Sequence, residues 1–331
     1  MIVIKYKGGL GNQMFQYAFH QAMKEAYPEE TIKADLSHYI LQNEHNGFEL
    51  ISVFGFQEDV ATKGEVTSIV NIYFPGRLFK HLPRKIKEKI ANNLQYMYRN
   101  LKNAFIPKKS EQYYKQIYHN TLEKEVFMLD LSRDWYLDGL WQNLQYWSRG
   151  NKSDSNYIKK IQNLFSFDDE KYASDICLKE TKEELEKENS VGIHVRRGDF
   201  VDSKFDICPM SYYMQAIRII RDLIPDSVFY FFTDDVEYVK NNFPQVISDE
   251  KDSGLVEIVA ISHGAKRSDI DMWLMSKCHN LIISNSTFSF WGAILGDQER
   301  RKIIAPRYSI ISKNGKFELS APENWLLIDN D

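Results

Sequence analysis

Hydrophobic and polar positions divide this chain into two halves with different rhythms. In the second half, short apolar runs alternate with stretches of helical period. Val191, Ile193 and Val195 alternate as residues of a buried strand do, and the run ends in Arg196-Arg197-Gly198-Asp199. A helix is predicted over 210–223, then a strand over 228–232 that leads into Thr233-Asp234-Asp235. A strand over 256–260 precedes a helix over 268–276. A strand over 281–283 precedes Ser284-Asn285-Ser286-Thr287 and a helix to 295, and a last strand falls at 303–305. Five strands separated by helices predict a doubly wound parallel sheet.

The first half is less regular. A strand is predicted over 2–6, followed by a glycine-rich turn at 7–13 and a helix over 14–26. Met14, Phe15, Ala18, Ala22 and Ala26 give that helix an apolar face. Further strands are predicted over 31–34 and 134–141. A helix over 157–165 and a charged helical stretch over 168–188 follow. A length of 331 residues favours two domains, and the change of composition between 150 and 190 places the division at 1–170 and 171–331. The section 77–109 stands apart. Phe79, Leu82, Ile86, Ile90, Leu94, Met97, Leu101 and Phe105 recur at helical spacing, with ten Lys or Arg against the single acid Glu88. Such a basic amphipathic helix either lies on an anionic membrane surface as a peripheral contact or packs its apolar face on its own domain.

Composition narrows the function classes. The formal net charge of −4 provides no global basic field for nucleic acid. The three cysteines, Cys177, Cys208 and Cys278, form neither a disulfide framework nor a zinc pattern, which points to a reducing compartment. The first apolar run is too short for a secretion signal, and no stretch reaches the length of a membrane span. The expectation is a soluble, cytoplasmic protein.

Ligands of doubly wound sheets bind at the carboxyl ends of the strands. Three polar loops fall there: Arg196-Arg197, Asp234-Asp235 and 284–287. Arginine presents a rigid fork of donors suited to phosphate. Ser286 and Thr287, with Asn285, open a helix whose N-terminus favours an anion, although the same residues serve as N-caps. Asp234 and Asp235 suit a ribose or a base edge, or cap the next helix. His194 shares its strand with apolar neighbours and lies beside Arg196. In the turn at 7–13, Gly9 and Gly11 let backbone N–H groups approach an anion, but the spacing is neither of the common nucleotide-loop signatures. Asp269-Ile270-Asp271 resembles the acidic tripeptide of metal-dependent transferases, yet it opens a helix, where acids are favoured anyway. No His, Cys, Asp and Glu cluster has metal-ligand spacing, and the expectation is a site without metal or cofactor.

Four segments, in order along the chain, resemble glycosyltransferase family 11, the α-1,2-fucosyltransferases. They are Gly8-Gly9-Leu10-Gly11-Asn12-Gln13-Met14-Phe15-Gln16-Tyr17-Ala18, His194-Val195-Arg196-Arg197-Gly198-Asp199, Phe232-Thr233-Asp234-Asp235 and Asn285-Ser286-Thr287-Phe288-Ser289-Phe290-Trp291-Gly292-Ala293. Phe290 departs from the tryptophan usual in the family, and 77–115 matches nothing in it. The resemblance implies an α/β fold of GT-B type, two Rossmann-like domains facing a central cleft. It implies a GDP-β-L-fucose donor held by the C-terminal domain, and inverting transfer to the 2-hydroxyl of a terminal β-galactoside. By the same likeness Arg196 meets the β-phosphate, His194 and Asp234 lie near guanine, Ser286 and Thr287 lie near the diphosphate, and Asn12 sits where donor and acceptor meet. Asp199 and His194 are the candidates to take the acceptor proton, with Asp199 as an arginine-orienting residue the alternative. A GDP-fucose-dependent transferase of other linkage, and a non-catalytic nucleotide-sugar or glycan-binding protein, are the other readings.

Overall fold

The computed structural model describes residues 1–41, 46–70, 112–116, 121–148, 156–198, 207–247, 259–312 and 315–331. The basic segment 77–109 and Asp199 therefore lie outside the described residues. Two parallel sheets form the framework, each drawn from one half of the chain.

The first sheet contains β1 (Ile2–Lys5), β2 (Ile32–Asp35), β3 (Tyr113–Lys115) and β4 (Trp135–Asp138), in the order β2-β1-β4-β3. Every pairing in it is parallel. The alternation of β1 sorts its side chains. Ile2 and Ile4 join the main core, where they meet helix α1 (Leu10–Ala26), while Val3 faces the smaller cluster of Val66, Ile69 and Tyr136. Short helices α2 (Ser37–Leu41), α3 (Leu50–Phe54) and α4 (Lys63–Ile69) follow β2. The last of these opens with a complete capping box between Thr62 and Glu65.

Helices α5 (Tyr157–Leu164), α6 (Asp169–Ala173) and α7 (Ile176–Leu185) lead to the second sheet. Its strands are β5 (Ser190–Val195), β6 (Val228–Thr233), β7 (Val259–Ile261), β8 (Asn280–Ile282), β9 (Ile303–Pro306) and β12 (Leu326–Ile328). They lie in the order β12-β9-β8-β5-β6-β7, all parallel. Helices α8 (Met210–Leu223), α9 (Val236–Ile247), α10 (Ser268–Lys277) and α11 (Thr287–Ile294) cover it. An antiparallel hairpin, β10 (Tyr308–Ser312) with β11 (Gly315–Glu318), stands beside it.

The chain builds outward from β5 through β6 to β7, then crosses back to lay β8 on the other side of β5. That reversal opens a crevice at the carboxyl ends of β5 and β8. The first sheet reverses likewise between β1 and β4.

Three local differences from the sequence expectation have physical causes. Helix α1 begins at Leu10 rather than at 14, because Gly9 supplies an extended N-cap and Gly8 turns the chain at φ +82°. The charged stretch 168–188 is two helices, since Asp168 caps α6 and Asp175 caps α7 with side-chain acceptors. The strand expected over 134–141 stops at Asp138, and the chain then turns through Trp141 at φ +55°.

Candidate active site at the carboxyl edges of the two sheets

The crevice between β5 and β8 is closed at its floor by polar side chains. His194, the fifth residue of β5, is 4% exposed, and its Nδ1 shares a 2.8 Å hydrogen bond with Ser284 Oγ. Burial, reinforced by the Arg196 cation, lowers its pKa to about 3. A neutral imidazole so weakly basic orients groups by hydrogen bonding and makes a poor proton acceptor, which weighs against His194 as the base.

Two residues on, Arg196 leaves the strand and pairs through Nη1 with Asp234 Oδ2 at 2.9 Å. The other oxygen of Asp234 accepts the backbone N–H of Arg197 at 2.8 Å. Both carboxylate oxygens thus grip the arginine segment, and Asp234 positions Arg196; a ligand reaching Asp234 would share those oxygens. Gly198 permits this approach, since a Cβ there would lie 2.6 Å from Asp234 Oδ2. Asp235 does separate work. Its Oδ1 accepts the N–H of Tyr238 in the first turn of α9, and its Oδ2 pairs with Arg197 Nε at 3.2 Å. Arg197 also lies over the Tyr238 ring at 3.6 Å, so it is fixed within the fold. Arg196, about a quarter exposed and paired with Asp234, stands at the carboxyl end of β5 beside the crevice.

The third loop follows β8. Asn285 Oδ1 accepts from the buried Cys208 thiol at 3.5 Å. Ser286 caps α11, its Oγ accepting the N–H of Phe288 at 3.3 Å. The capping expectation for this loop holds, and the dipole of α11 still points its positive end into the crevice.

The glycine turn of the first half meets the same helix end. A Cβ on Gly11 would fall 2.7 Å from Thr287 Oγ1 and 2.8 Å from its carbonyl carbon. Trp291 Nε1 donates to Gly11 O at 2.9 Å, and Phe15 packs 4.8 Å from the Trp291 ring. Gly9, Gly11 and Asn12 are therefore gathered with Ser286 and Thr287 at one junction. Gln13 and Gln16 of the same motif serve the turn: Gln13 Nε2 donates to Gly8 O, and Gln16 exchanges two hydrogen bonds with the Lys7 backbone.

The acidic tripeptide falls in the first turn of α10, as expected of acids at a helix start. Neither Asp269 nor Asp271 caps α10 with a side chain. Asp271 holds His263 through its N–H and its ring, and Asp269 accepts from the Tyr172 hydroxyl at 3.0 Å. No cluster of metal-binding groups occurs among the described residues.

Residues that sequence reasoning missed line the carboxyl edge of the first sheet. Asp138 accepts from Lys5, Lys7 and the Tyr113 hydroxyl. Burial opposes its ionisation, but the two ammonium groups hold its pKa well below the carboxylate range. Gln142 donates to Asn12 Oδ1 at 2.8 Å. The register Lys115↔Asp138 is the signal for the first group, and it is readable only once β3 is known.

Known proteins agree with this picture. The family model for glycosyl transferase family 11 matches residues 1–328. The chain is 27% identical over 334 residues to an alpha-1,2-colitosyltransferase of Escherichia coli, covering 99% of each chain. It is 28% identical over 338 residues to the O-antigen biosynthesis glycosyltransferase WbnK of Escherichia coli, covering 96% of this chain and 97% of that one. Among solved structures it is similar to a mutant of Arabidopsis thaliana FUT1 in complex with GDP. There the TM-score is 0.51 at 14% identity, over 97% of this chain and 74% of the other. The two parallel sheets and this likeness make the fold GT-B. The chain belongs to glycosyltransferase family 11.

Proposed function

We propose that this glycosyltransferase moves L-fucose from GDP-β-L-fucose to the 2-hydroxyl of a terminal β-galactoside, inverting the anomeric centre to give an α-1,2 linkage. The observation that carries the reading is Arg196 at the carboxyl end of β5, two residues past His194, whose ring lies 5.8 Å from Phe288 in the first turn of α11. Breaking the sugar–phosphate bond leaves negative charge on the diphosphate. A fixed guanidinium and a helix N-terminus stabilise that charge where it develops, which favours transfer without a metal. Donor contacts are assigned to 171–331 and acceptor contacts to 1–170. Asp199 remains the first choice for the proton acceptor.

The decisive experiment offers GDP-fucose with a panel of β-galactosides in excess EDTA, followed by linkage assignment. An α-1,2-fucosylated product is expected. Donor turnover with no glycan product would sink the acceptor assignment, and activity lost to EDTA but restored by Mn²⁺ would sink the metal-free mechanism. The second reading is a colitosyl donor, favoured by the colitosyltransferase relative. Colitose is fucose without its 3-hydroxyl, so GDP-colitose tested side by side separates the two.

A further inference from the structure

The loop that follows β4, residues 139–143, is tightly constrained. Gln116, buried to 2% exposure, uses one carbonyl oxygen to accept both Leu140 N–H at 3.0 Å and Trp141 N–H at 2.9 Å. A Cβ on Gly139 would collide with the Trp141 ring at 2.6 Å and with Gln116 Oε1 at 2.7 Å. Trp141 itself adopts φ +55°, a left-handed conformation that is costly for a bulky residue. Its ring is fully buried and stacks on Phe19, 4.0 Å away and tilted by 8°. Strain of this kind persists only where surrounding contacts over-determine it. What it delivers is the next residue, Gln142, whose Nε2 reaches Asn12 Oδ1 at 2.8 Å.

That contact spans the place where the first sheet reverses, between β1 and β4. It also adjoins the Gly11–Thr287 junction with the second sheet. Because Gln142 donates to Oδ1, the NH₂ of the Asn12 amide is the group turned away from Gln142. Asn12 Nδ2 has no hydrogen-bond partner among the described residues. It lies over Gly8, where a Cβ would come within 2.6 Å of it, so the absent side chain leaves this donor its room.

We propose that Gln142 is a positioning residue that sets the polarity of Asn12, so that Asn12 Nδ2 donates a hydrogen bond to an oxygen of the bound substrates. The proposal rests on the glycosyl-transfer reading given above. The oxygen belongs either to the donor diphosphate or to a sugar hydroxyl, and the measurements separate these sources. Gln142→Glu keeps the shape but offers only an acceptor. Asn12 must then turn its NH₂ inward and present an oxygen to the substrate.

The test is a double-mutant cycle on the full chain with Gln142→Glu, Asn12→Ala and the pair. It is read as kcat/KM for donor and for acceptor, GDP affinity and melting temperature. Gln142→Glu is expected to lower transfer by about tenfold or more, as the loss of one substrate hydrogen bond does. In the Asn12→Ala background the same change is expected to cost less than about twofold, because its route to the substrate is gone. A GDP affinity that falls in step places the oxygen on the diphosphate; unchanged GDP affinity with a weakened acceptor KM places it on a sugar. Equal losses in both backgrounds, or an unaffected single variant, overturn the proposal. Should Gln142→Glu melt early, Gln142→Ala repeats the cycle with the donor removed and no charge added. A wild-type chain that consumes no nucleotide sugar refutes the functional reading instead, before any variant is made.

Discussion

Lowering the pH should destabilise the fold through His194 in a way that can be isolated. The folded pKa is about 3, chiefly from burial, against about 6.5 for a histidine in an unfolded chain. Below pH 6.5 the unfolded chain binds a proton that the folded chain refuses. Stability is therefore complete above about pH 6.5 and falls by about 1.4 kcal/mol per pH unit until the folded pKa is reached. At pH 4.5 the loss from this residue is on the order of 3 kcal/mol. The buried His20, lowered to about 4 by burial against the opposing pull of Glu58, contributes a parallel slope in the upper part of that range. Urea unfolding of wild type and His194→Gln between pH 4.5 and 7.5 separates the two histidines. The difference between the curves should shrink with acid, because the variant lacks one of the two slopes. Parallel curves would refute the reasoning and would mean that His194 is charged or solvent-reached in the folded chain. The same neutral ring predicts that a rate profile loses nothing near pH 6 on account of His194.

Two other perturbations address the junction and the cation. Arg196→Ala should lower transfer by roughly 10²-fold or more, well beyond any change in melting temperature, since in the proposed reaction the guanidinium meets charge that develops in the transition state; Arg196→Lys should recover only part, because a point charge cannot both pair with Asp234 as Nη1 does and offer a fork of donors to a phosphate. Near-normal turnover of the alanine variant would remove Arg196 from the mechanism. Gly11→Ala should destabilise by about 1–3 kcal/mol, because two of the three atoms its Cβ meets within 3 Å belong to the Thr287 and Phe288 backbone and cannot rotate away. An unchanged thermal midpoint would show that the two halves are not held together at that contact.

The second sheet was legible because its strands are apolar on both faces and its loops carry polar groups, so period and punctuation agree. Even the capping of α11 could be foreseen from Ser286. Other features required distances across the chain. Asp234 and Asp235 read alike in sequence, yet one grips Arg196 while the other starts α9 and anchors Arg197. Asp269 and Asp271 stand in the first turn of α10 as acids should, but their side chains also take tertiary partners in Tyr172 and His263. The hairpin β10–β11 and the edge strand β12 carry too few buried residues to show a period. Gln142 gave no signal at all, because its partner Asn12 lies 130 positions away.

Much of what identifies the family in this chain is structural. In the glycine motif, Gln13 and Gln16 tie the turn to its own backbone, Gly11 admits Thr287, and Phe15 packs on Trp291. In the last motif, Ser286 caps a helix and Trp291 bonds back to Gly11. These residues hold two sheets together at one crevice, a task indifferent to which sugar crosses it. In the proposed reaction Arg196 and the end of α11 would act on the diphosphate, which different nucleotide sugars share. On that reading, acceptor selection would fall to surfaces beside these motifs, such as the carboxyl edge of β4, where Asp138 and Gln142 stand. Whole-chain family membership is therefore compatible with an open choice between fucose and colitose, because the residues that carry the family motifs build the crevice and need not touch the sugar.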